Sequence, residues 1–415
     1  MSMMIDQGKR AKEASAAAAL LSSNEKNELL RVMAAQLEED IPAILAENEK
    51  DLKAGEENGI STALMDRLRL SETRIKGMAE GFRQVAALKD PIGQEMESWS
   101  RPNDLHIQKV RVPLGVAGII YEARPNVTAD AAALCLKTGN AAFLRGSSSA
   151  YYSNAAIVAS IHTALAASSM SKEMVQLAED TSREAASDLF TMNDYLDVLI
   201  PRGGAGLIQT VVQQSSVPVL ETGVGNCHVF IDESAEEDMA VRIAVNAKTD
   251  RPSVCNAAET ILVQENWAEK HGKKLIEALH AEGVEIRGDH YIQSLHPDVK
   301  RASEQDWEEE FLDLTAAVKI VKNPEEAVAH IKQYGTGHSE AIVTENTEHK
   351  HYFYNQLDAA VLYHNASTRF TDGFEFGFGA EIGVSTQKLH ARGPMGLEAL
   401  TSFKYLVDGS GQIKE

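Results

Sequence analysis

Residues Val112–Ala150 read VPLGVAGIIYEARPNVTADAAALCLKTGNAAFLRGSSSA. An unbroken apolar run, GVAGIIYEA, leads through an Ala- and Leu-rich helical stretch to a second run, AAFLRG. Apolar runs that do not alternate with polar residues are strands buried on both faces, and strands separated by helices build parallel sheets. The pattern continues along the chain in LDVLIPRGG, VPVLET, HVFID, ETILVQ, LTAAVKIV, EAIVTE and AAVLYH. It predicts an α/β protein of the doubly wound kind. Upstream, NEKNELLRVMAAQLEEDIPAILAENEKDL places apolar residues three and four apart, so residues 1 to about 90 read as successive helices. Pro91 and Gly93 punctuate their end, and DLHIQKVRVP then alternates like a half-exposed strand.

Composition narrows the class. The chain has 415 residues, long for a single core, with 44% hydrophobic and 24% charged residues. A formal net charge of -21 excludes nucleic acid and anionic membrane as natural partners, because both are repelled. An anionic substrate therefore needs local positive groups. Three cysteines without a C-x-x-C pair argue against a disulfide framework and a zinc site, so no metal is expected and a reducing cytoplasm fits. AAAALL (Ala16–Leu21) is too short for a signal peptide, and no run reaches the ~18 apolar residues of a membrane span.

The cysteines are not equivalent. Cys135 lies in an apolar helix and Cys227 at the mouth of a strand, both packing positions. Cys255 stands in VNAKTDRPSVCNAAET, after a helix-breaking Pro252 and beside Lys248, Arg251, Ser253 and Asn256. Cationic neighbours and backbone N–H groups favour the thiolate, which is the nucleophile. A packing role remains open on local chemistry alone.

YEARPNVT, ETGVGNCHV, NAKTDRPSVCNAAET, VAHIKQYGTGHSEAIVT and FGFGAEIGVSTQKLHARGPMGLEALTSFKY occur in that order. Together they resemble the aldehyde dehydrogenase superfamily, and within it the branch acting on gamma-glutamyl phosphate. The resemblance implies two doubly wound α/β domains plus a small β oligomerisation element. Residues 1–97, 113–223 and 365–395 would form the cofactor-binding domain, 224–364 the catalytic domain, and 98–112 with 396–415 the oligomerisation element. It implies NADPH as reductant, gamma-glutamyl phosphate as substrate, a homo-oligomer, and functional coupling to a glutamate kinase in proline biosynthesis. No kinase-sized region accompanies the pattern, so a fused kinase–reductase is not expected. A hydrolytic NAD(P) aldehyde dehydrogenase, or a non-catalytic protein retaining the fold, are the rival readings.

The implied roles fall on particular residues. Cys255 is the nucleophile, Asn126 an oxyanion donor, and Glu221 the position that activates water in hydrolytic relatives. Here Glu221 would instead shuttle protons or hold the nicotinamide end. Alone, Asn126 also reads as a helix-start residue after Pro125. Arg145 and Ser147 fall where the adenosine ribose and a 2′-phosphate bind. Gly203 and Gly204, in GGAG, precede a helix whose start suits a pyrophosphate. Glu310 falls where a carboxylate bonds the nicotinamide ribose, with Glu309 one register away. Arg124, Lys248 and Arg251 are candidates for the substrate phosphate, and equally for surface ion pairs. His338 and Glu381 are candidates for the rest of the substrate, in Gly-rich segments that also read as turns.

Overall fold

A computed structural model describes residues 3–414, and these fall into two compact units. The first runs to Thr222 and includes Gly377–Gly383 and the chain from Met395; the second is Gly223–Phe376 with Val384–Pro394.

The first unit opens with the expected helices, Met3–Ala18, Ser23–Glu39, Ile41–Glu57, Thr62–Leu68 and Glu72–Ala87. Local chemistry sets their ends. Ser22 and Glu25 form a capping box, Ser22 Oγ accepting from Glu25 N–H while the Glu25 carboxylate accepts from Ser22 N–H. The strands Val175–Leu177, Ala141–Arg145, Val116–Tyr121 and Val198–Arg202 lie side by side, all parallel. Every residue of Val116–Tyr121 is buried, as its unbroken apolar run requires. Met4 and Ala11 of the first helix pack on Val116, Ile120 and Phe143 of that sheet. VPVLET does not form a full strand. Pro218 removes a backbone donor, and the segment makes a single parallel bridge from Val219 to Leu199. The strands Glu95–Ser100, His106–Pro113 and Thr401–Asp408 form a separate antiparallel sheet.

The second unit holds a seven-stranded parallel sheet. Its order is Lys300–Arg301, Glu285–Gly288, Thr315–Val321, Ala258–Gln264, Cys227–Ile231, Ser339–Val343, Val361–His364. The chain enters at Cys227–Ile231, steps outward through Ala258–Gln264, and later crosses to Ser339–Val343. Trp267, Leu275 and Ile276 of helix Glu265–Ala281 cover one face against Val229 and Ile261. The expected placing of 365–395 in the first domain needs correction. Residues 365–376 and 384–394 cluster with the second unit, and only 377–383 with the first. The physical reason is local: Thr368 Oγ1 donates to Asn256 O at 2.7 Å, and Arg392 pairs with Asp358 at 2.7 Å. Among the described residues no helix is long and apolar enough to cross a membrane.

Candidate active site

Cys255 sits in the loop between helix Glu237–Thr249 and strand Ala258–Gln264. It is the one cysteine of the three that is not buried. Burial pushes the Cys135 thiol up to about 12 and the Cys227 thiol well above its ordinary value, so neither ionises readily. The strands of this sheet are parallel, so the loops before Cys227, Ala258 and Ser339 lie at the same end of it. Gly225 packs against the Cys255 backbone so closely that a Cβ there would lie 1.4 Å from the Cys255 carbonyl oxygen. Cys227 Sγ donates to that same oxygen at 3.2 Å. On the other side Asn256 is buried, donating from Nδ2 to Thr371 O at 2.8 Å and accepting from the Arg369 guanidinium. Arg369 in turn bonds Asp250 at 3.0 Å. Contacts on both flanks therefore fix the backbone that presents Cys255.

The cations expected around Cys255 divide sharply. Lys248 is wholly buried, its Nζ 2.5 Å from Glu259 Oε2, which is equally buried. This corrects the expectation that it serves the substrate phosphate: the ammonium is committed to a core carboxylate. Burial drives Glu259 up to about 7 and Lys248 downward. Arg251 is exposed and makes no ion pair among the described residues, so its charge stays available. His338 also departs from expectation. It is fully buried, with Nδ1 2.8 Å from Ser339 Oγ and 3.7 Å from Cys227 Sγ. Burial pushes it down to about 4, so it is a neutral core histidine rather than a surface ligand.

The three glutamates of the run differ in their surroundings. Glu308 and Glu309 are exposed, whereas Glu310 is half-buried and its Oε1 accepts from Gly225 N–H at 2.7 Å. Glu310 is thus bonded to the glycine of ETGVGN that buttresses Cys255. Glu381 belongs to the segment 377–383, in the first unit.

In the first unit Pro125 opens helix Pro125–Lys137, and Arg124 is its N-cap. Asn126 is exposed one position later. Its Nδ2 donates to Asp130 Oδ2 at 3.1 Å, the i,i+4 spacing of one helix face. One amide hydrogen is thereby held toward Asp130. Burial raises Asp130 to about 6, opposed by its bond to Asn126 and by the charge of Arg202. Asp130 went unremarked in the sequence, although its spacing from Asn126 was the available signal.

The sheet order changes direction between Val116–Tyr121 and Val198–Arg202, the crevice where open α/β sheets bind ligands. Glu122 and Gly203–Gly204 follow those two strands directly. At the helix start where an anion was expected, the structure places a side chain of the protein itself. Glu122 Oε2 accepts from Gly204 N–H at 3.0 Å, so a carboxylate already satisfies the first donor of helix Ala205–Gln214. A pyrophosphate there would have to displace it. Glu221 lies on the far side of Val198–Arg202, after Leu220, whose N–H donates to Leu199 O at 2.8 Å. Arg145 ends strand Ala141–Arg145, and its Nη2 donates to the carbonyls of Thr181 at 2.7 Å and Ser182 at 3.0 Å. Ser147 Oγ lies 2.7 Å from Ser149 Oγ.

Residues 5–290 match the profile of the Aldehyde dehydrogenase family. A gamma-glutamyl phosphate reductase of Halalkalibacterium halodurans is 61% identical over 416 residues, covering 100% of both chains. The crystal structure of a Thermotoga maritima gamma-glutamyl phosphate reductase superposes with a TM-score of 0.97 at 46% identity, again over 100% of both chains. An acetylating aldehyde dehydrogenase of Geobacillus thermoglucosidasius shares the fold, with a TM-score of 0.73 at 19% identity over 99% of this chain and 97% of its own. With its parallel sheets, its buttressed surface cysteine and these likenesses together, the chain belongs to the aldehyde dehydrogenase family, in its gamma-glutamyl phosphate reductase branch.

Proposed function

We propose that the chain reduces gamma-glutamyl phosphate to glutamate gamma-semialdehyde and inorganic phosphate, with NADPH as reductant, in proline biosynthesis. The observation that carries this reading is Cys255: half-exposed where its two counterparts are buried, on a loop held from both flanks, in a chain 61% identical to a protein of that name.

The Cys255 thiolate attacks the acyl carbon, the C–O bond to phosphate breaks, and phosphate leaves with that electron pair. The enzyme holds the acyl group as a thioester, which splits one hard reduction into two easier steps. When bound, the nicotinamide supplies a hydride for the thioester carbon. The tetrahedral product on sulfur then collapses, releasing the aldehyde and restoring the Cys255 thiolate. Asn126, its amide steered by Asp130, donates to the oxygen on which charge develops; one such donor is worth about 3 kcal/mol of barrier. Arg251, exposed beside the nucleophile, meets the departing phosphate, with Arg124 as a second cation. Glu221 serves proton transfer or the nicotinamide end rather than hydrolysis.

The residues present fit the coenzyme at two of three points. Arg145 carries a guanidinium beside the hydroxyls of Ser147 and Ser149, donors suited to a ribose and its 2′-phosphate. Its Nη2 is already engaged with two carbonyls, so the remaining nitrogens would make that contact. Glu310, fixed on Gly225, offers a carboxylate for the nicotinamide ribose. The helix start at Gly204 fits less well, for the Glu122 carboxylate stands there. A homo-oligomer belongs to the same proposal, supported by the edge strand Thr401–Asp408 with Phe403, Tyr405 and Val407 exposed.

The decisive assay is NADP-dependent oxidation of glutamate gamma-semialdehyde with and without phosphate. Phosphate should accelerate the reaction by intercepting the thioester, and Cys255→Ser should lose it by several orders of magnitude while folding normally. Arg145→Leu should raise KM for NADP and leave NAD kinetics nearly unchanged. Oxidation indifferent to phosphate would instead support the hydrolytic reading, and turnover by Cys255→Ser would end both.

A further inference from the structure

We propose that His280, His296 and Asp298 form a binding site for a divalent transition-metal cation of the zinc class, separate from the cysteine chemistry. Among the described residues one group of three His, Cys, Asp or Glu side chains has its ligand atoms all within 4.8 Å of one another, and it is this one. Nothing in the sequence pattern signals it, because the ligands come from two different elements and follow no C-x-x-C or H-x-x-x-H spacing.

The geometry is close to what such an ion requires. Four ligands at about 2.0–2.1 Å in a tetrahedron stand about 3.4 Å from one another. His280 Nε2 is 3.5 Å from Asp298 Oδ2, and His296 Nδ1 is 4.0 Å from the same oxygen. All three ligand atoms lie within 4.8 Å of one another, so side-chain shifts of about 1 Å bring them to three corners, leaving the fourth to water. Asp298 N–H donates to His296 Nδ1 at 3.3 Å, so this nitrogen is the unprotonated one, and a cation would replace that hydrogen bond on its single lone pair. The two imidazole rings lie 4.5 Å apart between centroids, which keeps both nitrogens at one place. His280 stands in the last turn of helix Glu265–Ala281, where unpaired carbonyls favour a cation. The nearby Lys300 does not oppose it, because its ammonium is paired with the Glu285 carboxylate. Two imidazoles with one carboxylate select zinc, copper or nickel over magnesium and calcium, which take oxygen ligands.

The position also gives the ion something to do. The ligands bracket strand Glu285–Gly288 and helix His290–Leu295, next to Lys300–Arg301 at the outer edge of the seven-stranded sheet. A cation there ties the end of a long helix to the turn that leads into the edge strand. Binding to the folded state alone raises its stability by mass action.

The test uses the full chain with Cys255→Ser, so that no exposed thiolate competes for metal. Zinc is titrated by calorimetry, and melting is followed with and without it. One equivalent should bind and raise the midpoint, while magnesium should do neither. Adding His296→Ala with Asp298→Asn, or His280→Gln alone, should weaken binding by about a hundredfold or more, since even outer-shell partners are worth 10–100-fold. All three positions are at least partly exposed, so these variants fold. Zinc binding and a midpoint shift unchanged in both variants would overturn the proposal, as would no binding at millimolar zinc.

Discussion

Lys248→Met is the sharpest test of how the Cys255 loop is held. Lys248 ends helix Glu237–Thr249 and Glu259 begins strand Ala258–Gln264, so their 2.5 Å pair clamps the two ends of the loop 250–257. Both side chains are 0% exposed. Removing one member of a buried pair costs about 3–5 kcal/mol, because the survivor keeps its desolvation without its partner. Glu259 already titrates at about 7, raised by burial and held down by Lys248. Without the lysine its folded pKa rises further. A carboxyl whose folded pKa is raised loses stability as pH rises toward that value, so the deficit widens above pH 7. At pH 8 the full cost should appear in urea unfolding followed by the fluorescence of Trp267 and Trp307, both buried in this unit. The double variant Lys248→Met/Glu259→Gln removes the charge and keeps an acceptor for Leu312 N–H, which bonds Glu259 at 3.3 Å. It should recover at least half of the loss. A single variant within about 1 kcal/mol of the parent, or a double no better than the single, refutes the clamp.

Two further outcomes follow from the same unit. Gly225→Ala places a methyl 1.4 Å from the Cys255 carbonyl oxygen, so the loop must move. Semialdehyde oxidation should fall by about a hundredfold or more, as misplacement of reacting groups by 1 Å allows, and wild-type turnover would contradict the packing. His338 and His330 are buried neutral, at about 4 and about 2. A histidine with a depressed folded pKa has its stability present above about 6.5 and loses it as pH falls toward the folded value. At pH 4.5 His338 alone should cost on the order of 2–3 kcal/mol relative to pH 7. Acid denaturation should be shallower in His338→Gln, and an unchanged pH profile would show that burial does not set its charge.

The α/β alternation, the early helices and the distinct setting of Cys255 were legible in the sequence because each depends on near neighbours. Unbroken runs such as GVAGIIYEA and ETILVQ mean burial on both faces wherever they fall, and the structure buries every residue of Val116–Tyr121 and Ala258–Gln264. Cys255 stood out from Cys135 and Cys227 by its polar neighbours, and their burial follows that division. What a charged side chain does was not legible, because its partner is chosen across the fold. Lys248 and Arg251 lie three residues apart beside the same cysteine, yet one is sealed against Glu259 and the other faces solvent. The carboxylate at Gly204 was hidden for the same reason: Glu122, 82 residues away in sequence, reaches the helix start across adjacent strands. The grouping of 365–376 with Cys255 likewise rests on Asn256 meeting Thr368 and Thr371, contacts of more than 100 residues' separation. Periodicity and chain-local chemistry are properties of a segment, so the sequence determined them. Which donor meets which acceptor, and whether a charge is spent inside or offered outside, was decided only when the sheets brought distant segments within hydrogen-bonding distance.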